Sequence, residues 1–346
     1  MGRSKKETEE VEEVEKDEFG IENNVSLPPL GIDVLKLVSS AQGRYSKKEA
    51  GFKEDLTTGD KITLPNDEDS YIVSPEVAFW RPLTGIPGIP YGRIVQIAGK
   101  PDSGKSTTAM LFMKAAQEAS TLVILWDAEN KFSSKRYADQ MGGDPHTLAV
   151  VRNKNIVEGA KQVAFFIKAA AEQNPDCRIF VVWDSIGASL STIEDDDDEN
   201  YSMQPGQTAK QVGWAIRKFN NLIEKYRNRK NGKYNIAVCC VNQVYATIGA
   251  MAKGDKEKGG NELEYLSSII LRLARIKDLS RQRQGVKYKY GIVTKAKVKK
   301  NHLFEGKDCI QELQLVVGAD GMQLADEVKK KSAEAGITGW DDDSED

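Results

Sequence analysis

Gly99-Lys-Pro-Asp-Ser-Gly104-Lys105-Ser106 fits the phosphate-binding pattern G-x-x-x-x-G-K-[ST] at every fixed position. The flanks are the ones the pattern needs. Arg93-Ile-Val-Gln-Ile-Ala98 reads as a short buried strand, and Thr107 to Gln117 carries apolar residues at helical spacing. Glycines at 99 and 104 let the loop Lys100-Pro101-Asp102-Ser103 curl so that backbone N–H groups face one anionic centre, and the helix opening toward Thr107 adds its positive end. Lys105 would reach the outer phosphates of a nucleoside triphosphate, and the Ser106 hydroxyl would ligate Mg²⁺. A chance glycine-rich turn is the alternative, and the strand and helix on either side weigh against it.

At 346 residues and 40% hydrophobic content, the chain has enough material for one large soluble domain or two smaller ones. Its 49 lysines and arginines nearly balance 52 acidic residues, so net charge alone points to neither nucleic acid nor membrane. No apolar run approaches the roughly 18 residues that span a bilayer, and the N-terminus is charged with no signal-peptide core. A cytoplasmic protein with no membrane partner is expected. Cys177, Cys239, Cys240 and Cys309 lack metal-ligand spacing and read as buried thiols; with only His146 and His302, a zinc site or histidine triad has little support.

Residues 1–24 are charge-dense and apolar-poor, which predicts disorder. Residues 25–70, with a helix predicted across Gly31 to Gln42, read as an N-terminal arm that could serve as a subunit contact. From 71 to 317 short β-rich runs alternate with helical ones, the pattern of a mainly parallel sheet covered by helices. The predicted strands are Ile94 to Ala98, Leu122 to Asp127, Ile179 to Asp184 and Ile236 to Asn242, extended by Ile269 to Ala274 and Ile292 to Val298. Residues 318–346 form a short C-terminal segment whose acidic end (Asp341, Asp342, Asp343, Glu345, Asp346) reads as a mobile tail.

Three strand ends carry candidate chemistry. Asp184, closing the apolar run Ile179-Phe-Val-Val-Trp183, is the expected second Mg²⁺ ligand; a simple turn cap is the alternative. Glu129, just past the strand ending at Asp127, is placed to position or deprotonate an attacking water, with a solvated acidic turn as the competing reading. Gln243 follows the strand ending at Val241, where its amide could sense a γ-phosphate at the start of a long loop, Val244 to Lys258. Between Arg272 and Lys300 stand eleven lysines or arginines against the single acid Asp278: either a solvated face or a phosphate-backbone surface.

This ordered set resembles the RecA recombinase family: Tyr91 through Thr107, Asp127-Ala-Glu129, Val182-Trp-Asp184-Ser185, Val241-Asn-Gln243 and Gly259-Gly-Asn261, in the family's order and spacing across about residues 78 to 317. The set separates recombinases from helicase and clock-protein relatives, and the short chain suggests a divergent, bacteriophage-like member in a bacterial cell. The resemblance implies an α/β fold: a RecA-type phosphate-loop ATPase core, with a mainly parallel twisted sheet and helices on both faces. It implies ATP and Mg²⁺ as cofactors, and a homo-oligomeric helical filament on single-stranded DNA with ATP between subunits. That filament would pair with double-stranded DNA and exchange strands, helped by a loader or single-strand-binding protein.

By the same resemblance Glu129 and Lys105 are catalytic, and Gln243 couples the γ-phosphate to DNA. Tyr137 stacks on adenine. The first DNA loop spans about 198–205 and the second 244–258, with Lys210, Arg217, Met251, Gly259, Gly260 and Asn261 near DNA. Lys300-Asn301-His302 resembles a Lys-Asn-Lys stretch that reaches a neighbour's phosphates; His302 in place of the second lysine leaves Lys300 as the expected trans contact. Six acids at Glu194 to Glu199 beside the first loop put its DNA contact in question, and Ala252 leaves Met251 as the sizeable apolar wedge of the second. The family's separate C-terminal domain is expected to be largely missing. An accessory ATPase acting on protein partners is the alternative function.

Overall fold

The computed structural model describes residue 39 and residues 68–192, 206–227, 233–246, 255–283, 286–303, 309–318 and 321–334. The chain divides into two units, Met1–Thr63 and Leu64–Asp346, and every element below belongs to the second. Of the predicted arm helix only Ser39 is described, and it is helical. The acidic run at 194–199, the first loop at 198–205, the tip of the second loop with Met251, and the acidic end lie outside the described residues.

In chain order the elements are β1 (Tyr71–Ile72), α1 (Trp80–Thr84), β2 (Ile89–Pro90), β3 (Ile94–Gly99), α2 (Lys105–Glu118), β4 (Leu122–Asp127) and α3 (Ser134–Met141). Then come β5 (Leu148–Val151), α4 (Ile156–Gln173), β6 (Ile179–Asp184), α5 (Gln207–Lys225), β7 (Ile236–Ala246) and β8 (Asp255–Glu257). The last elements are α6 (Gly260–Leu266), β9 (Ile269–Arg283), β10 (Val286–Asn301), β11 (Glu312–Gly318), β12 (Gly321–Leu324) and α7 (Ala325–Glu334). The main sheet is ten-stranded, in the order β12-β11-β10-β9-β3-β7-β6-β4-β5, with β8 hydrogen-bonded to β7. From β9 to β5 the pairings are all parallel, whereas β10, β11 and β12 add an antiparallel flank.

The central parallel strands β4 and β6 are apolar up to their terminal aspartates because both their faces are covered. Alternate residues enter two separate layers. Val123 and Leu125 of β4 pack with Phe180 and Val182 of β6 in the layer that holds α2. Ile124 and Trp126 pack with Val181 and Trp183 in the layer that holds α4 and α5. The same alternation sends Cys239 and Cys240 to opposite layers, both buried as free thiols; Cys177 and Cys309, expected to be buried, are half-exposed. No helix of the described residues is long and apolar enough to cross a membrane.

Two parts differ from the sequence expectation. Strand β9 runs far beyond Ala274 and β10 begins well before Ile292, because Ser280–Arg283 pair with Val286–Lys289 as a two-stranded ribbon after β3 and β11 have ended. Strand β10 is also antiparallel, since it returns directly from β9 without a crossover helix. Beyond Gly318 the chain does not leave the domain: β12 pairs with β11, and Met322 Sδ accepts a hydrogen bond from Thr108 Oγ1 of α2 at 2.9 Å.

The second layer is tightest where α4 crosses β4. Trp126 stacks on Trp183 with centroids 4.1 Å apart, both rings meet Phe219 of α5 edge-on, and Trp126 Nε1 donates to Asn153 O at 2.7 Å. A Cβ on Gly159 of α4 would sit 2.1 Å from Trp126 Cζ2. On an open helix Gly→Ala stabilises, but here overpacking dominates. Gly159→Ala is expected to destabilise the fold by about 1–3 kcal/mol in urea melts.

Candidate nucleotide site

The parallel register brings residues of five strands to the same edge of the sheet. Gly99 lies opposite Gln243 on one side and Leu273 on the other, and Asp127 lies opposite Asp184. This is the carboxyl edge, where open α/β sheets hold their ligands. The loop after β3 is shaped by its glycines: Gly104 sits at φ 93°, and a Cβ on Gly99 would lie 2.2 Å from the Leu273 carbonyl. Two neighbours brace it. Thr294 Oγ1 of β10 donates to Ser103 O at 3.1 Å, and Val317 packs over Gly104. Helix α2 begins at Lys105, two residues before the predicted start, because Gly104 supplies the turn that opens it.

The loop forms one wall of a cleft of about 420 Å³ running from Pro101 to Thr107, with Glu129, Asp184 and Gln243 on the far side. Lys105 is buried, and its Nζ donates to Lys100 O at 2.7 Å. Burial pulls its pKa below the ordinary value, opposed by Asp184 and Glu129. Asp184 opens only into the cleft; burial pushes its carboxyl up to about 6, against the Ser106 hydroxyl that donates to it. A carboxylate beside a hydroxyl is a hard-oxygen donor set that suits Mg²⁺, which takes few protein ligands and completes its shell with phosphate and water. Ser106 and Asp184 would hold it.

Glu129 receives three donors: Ser185 Oγ at 2.5 Å and Gln243 Nε2 at 3.0 Å on Oε1, and Lys131 Nζ at 2.8 Å on Oε2. Burial raises its pKa, but Lys131, Ser185 and Gln243 outweigh burial and hold it below the ordinary carboxylate value. Asp127 does not line the cleft; its oxygens accept the backbone N–H groups of Lys131 and Phe132 at 3.1 Å each and so shape the turn that carries Glu129.

The remaining predicted residues sort into three places. Tyr137 is fully buried, with its hydroxyl on Gln117 Oε1 at 2.7 Å, so its ring offers no face to the cleft. The physical reason is its place on the inner side of the short helix α3, between Ser133 as N-cap and Gly142 as C-cap; Arg136, one residue earlier, is the side chain that reaches the cleft. Lys210 and Arg217 are exposed on α5, against which α6 begins: a Cβ on Gly260 would meet Ala209 at 3.0 Å, and Arg217 pairs with Glu262. Lys210, Arg217, Gly260 and Asn261 therefore share one surface, separate from the cleft, with Gly259 buried beneath it.

Lys300 lies at the opposite edge of the sheet, paired with Ile270, and its Nζ caps α6 through Glu264 O and Tyr265 O at 2.6 and 2.9 Å. It stands about 20 Å along β10 from Thr294 at 3.3 Å per residue, out of reach of its own phosphate loop. His302 is exposed beside it, its backbone N–H on Ser268 O at 2.9 Å. Sequence reasoning missed Lys131, Arg136, Lys289, Ile292 and Val317, which also line the cleft. Lys131 and Arg136 follow Glu129 closely enough to be suspected. Lys289, Ile292 and Val317 arrive only through the antiparallel flank, which leaves no local signal.

A family model, the RecA N-terminal domain, matches residues 70–317. The chain belongs to the RecA family. The chain is similar to Protein RecA of Cytophaga hutchinsonii, 29% identical over 256 residues, covering 73% of this chain and 66% of that protein. It is also similar to Protein RecA of Wolinella succinogenes, 30% identical over 219 residues (63% and 57%), and of Rippkaea orientalis, 31% identical over 216 residues (62% and 56%). The chain thus spans somewhat under two-thirds of the length of these RecA relatives.

Asp184 costs this RecA-family core stability. Its carboxyl titrates near 3.8 in the ordinary state and about 6 in the fold. Below pH ~4 both states hold the proton and there is no penalty; between about 4 and 6 the folded state binds more protons, so stability falls as pH rises. Asp184→Asn is expected to raise stability at pH 7 by about 1–3 kcal/mol, from 1.4 kcal/mol per pKa unit less the lost attraction to Lys105. Thermal melts at pH 7 and pH 4 check this, the gain shrinking at the lower pH.

Proposed function

We propose that the protein is an ATP-dependent recombinase: a DNA-dependent ATPase that forms a filament on single-stranded DNA and pairs it with a homologous duplex. The observation that carries this reading is the chain of contacts from Glu129 in the cleft to Gln243, whose strand β7 continues straight into the second loop. Membership in the RecA family supports the same reading.

In this mechanism the glycine-shaped loop and Lys105 bind the phosphates and orient the terminal one for in-line attack. Mg²⁺ held by Ser106 and Asp184 would neutralise charge on the phosphate oxygens. Glu129 takes a proton from the attacking water as the new P–O bond forms. The bond to the leaving diphosphate oxygen breaks, giving ADP and phosphate. Gln243, freed from Glu129, turns its amide to the terminal phosphate and so couples nucleotide state to β7. Lys210, Arg217 and the Gly259-Gly260-Asn261 turn supply the DNA-facing surface. Lys300 and His302 would serve a neighbouring subunit, since their own loop is at the other edge of the sheet.

Glu129→Gln is expected to bind ATP normally and lose at least about 100-fold in turnover, the range of a positioned base. Wild-type protein should show ATP-dependent, length-cooperative binding to labelled single-stranded DNA by fluorescence anisotropy, weakening steeply with salt. ATP turnover that ignores added DNA would favour the accessory-ATPase reading instead. Mixing Lys105→Ala with Lys300→Ala subunits, each inactive alone, should restore part of the turnover, because a mixed interface pairs an intact loop with an intact lysine. No recovery would remove Lys300 from the neighbour's site.

A further inference from the structure

Glu129 and Gln243 are held in part by groups outside the motifs, Lys131 and Tyr245. With three donors on its carboxylate, Glu129 is a stabilised anion and a weak base. The Gln243 amide is oriented from its other end: Tyr245 Oη donates to Gln243 Oε1 at 2.7 Å, so the NH₂ group is the one that faces Glu129. Gly187 leaves space for this arrangement, since a Cβ there would lie 2.7 Å from the Gln243 side chain.

These holding groups differ in freedom. Ser185 is buried at 1% and cannot swing away. Lys131 is tethered by its backbone N–H to Asp127, but its side chain is 79% exposed. Tyr245 is 47% exposed and stands on the hairpin formed by β7 and β8, opposite Lys256, with Ala246 opposite Asp255 one step further out. The return arm is fastened at the same point: Lys258 Nζ donates to Gly187 O at 2.7 Å, and its backbone N–H to Gln243 O at 3.2 Å. A ligand that bends the hairpin therefore displaces the phenol while Ser185 and Asp127 stay in place.

We propose that Tyr245 is a positioning residue that parks Gln243 on Glu129 in the resting protein, with Lys131 closing the second carboxylate oxygen, so that hydrolysis waits for the β7–β8 hairpin to move. This rests on the ATP-hydrolysis reading above and adds its restraint. When the phenol leaves, the Gln243 amide rotates off Oε1 and that oxygen is open to water. The exposed Lys131, which lines the same cleft as the glycine-shaped loop, then releases Oε2 toward a bound phosphate.

Tyr245→Phe keeps the ring and removes the hydroxyl. Two measurements are made on the 346-residue chain: ATP turnover without DNA, and the rate of trypsin cleavage at Lys256 and Lys258 without nucleotide. Turnover without DNA is expected to rise about fivefold, with the stimulation by DNA reduced to match and the hairpin cut correspondingly faster, the ratio one neutral hydrogen bond supports. Lys131→Met should move the acid limb of the pH–rate profile to higher pH, since Glu129 loses its cation. Cleavage at the wild-type rate, with DNA-free turnover unchanged or slower, overturns the proposal. Wild-type protein that hydrolyses no ATP at all, beside a Tyr245→Phe hairpin that is cut faster, sinks the hydrolysis reading while the phenol's hold on the hairpin stands.

Discussion

The hydrogen bonds that pair β3 with β7 and β9 hold Gly99 level with Gln243 and Leu273, and the rest of the site hangs from that register. A slip by one residue would turn every side chain on β3 to the other face and exchange the two apolar layers. Because the layers differ, with a stacked tryptophan pair in one and the phosphate-loop helix in the other, the slip is strongly disfavoured. The same register brings the Leu273 carbonyl so close to Gly99 that no side chain fits there. Sheet pairing and loop shape thus meet in one constraint: the glycine that the phosphate-binding pattern calls for is also the one the sheet requires.

Function is set against stability at the edge this register builds. Burial pushes Asp184 toward the neutral form, yet the proposed Mg²⁺ role needs it ionised. Nothing in the apolar strand that precedes it compensates; the compensation comes from Ser106 and Lys105 across the cleft. Lys105 suffers the same burial with opposite charge. Two groups that each destabilise the fold alone thereby depend on one another, and a bound Mg²⁺–phosphate group would relieve both.

The legible part of the sequence was the part with local period. Strands such as Ile179 to Asp184 were readable because both faces are buried and the run is unbroken, and Glu129, Asp184 and Gln243 were readable as polar residues directly past such runs. What stayed hidden depended on contacts distant in the chain. The ribbon of Ser280–Arg283 with Val286–Lys289 lies beyond the pairings with β3 and β11, so Val286 and Tyr288 alternate yet stay exposed, and the charged residues around them dominate its sequence. Tyr137 illustrates the limit of motif position. Its neighbour Arg136 reaches the cleft, and on a helix adjacent residues point about 100° apart, so a one-residue difference in reading decides whether a ring is buried or exposed.

The cleft's charged and polar side chains already hold one another. Lys105 donates to Lys100 O, Ser106 to Asp184, Lys131, Ser185 and Gln243 to Glu129, and Lys289 to Asp278. Each of these side-chain donors has a protein acceptor, so at the side chains binding is an exchange of hydrogen bonds rather than a filling of vacancies. Such an exchange is favourable only for a ligand whose acceptors outcompete a neutral carbonyl at Lys100 and a carboxylate at Glu129. A single phosphate at the loop could displace the carbonyl, but freeing Glu129 takes charge placed further along the cleft, beside Lys131. Length and charge of the ligand are therefore read by the same set of contacts that keep the resting site closed.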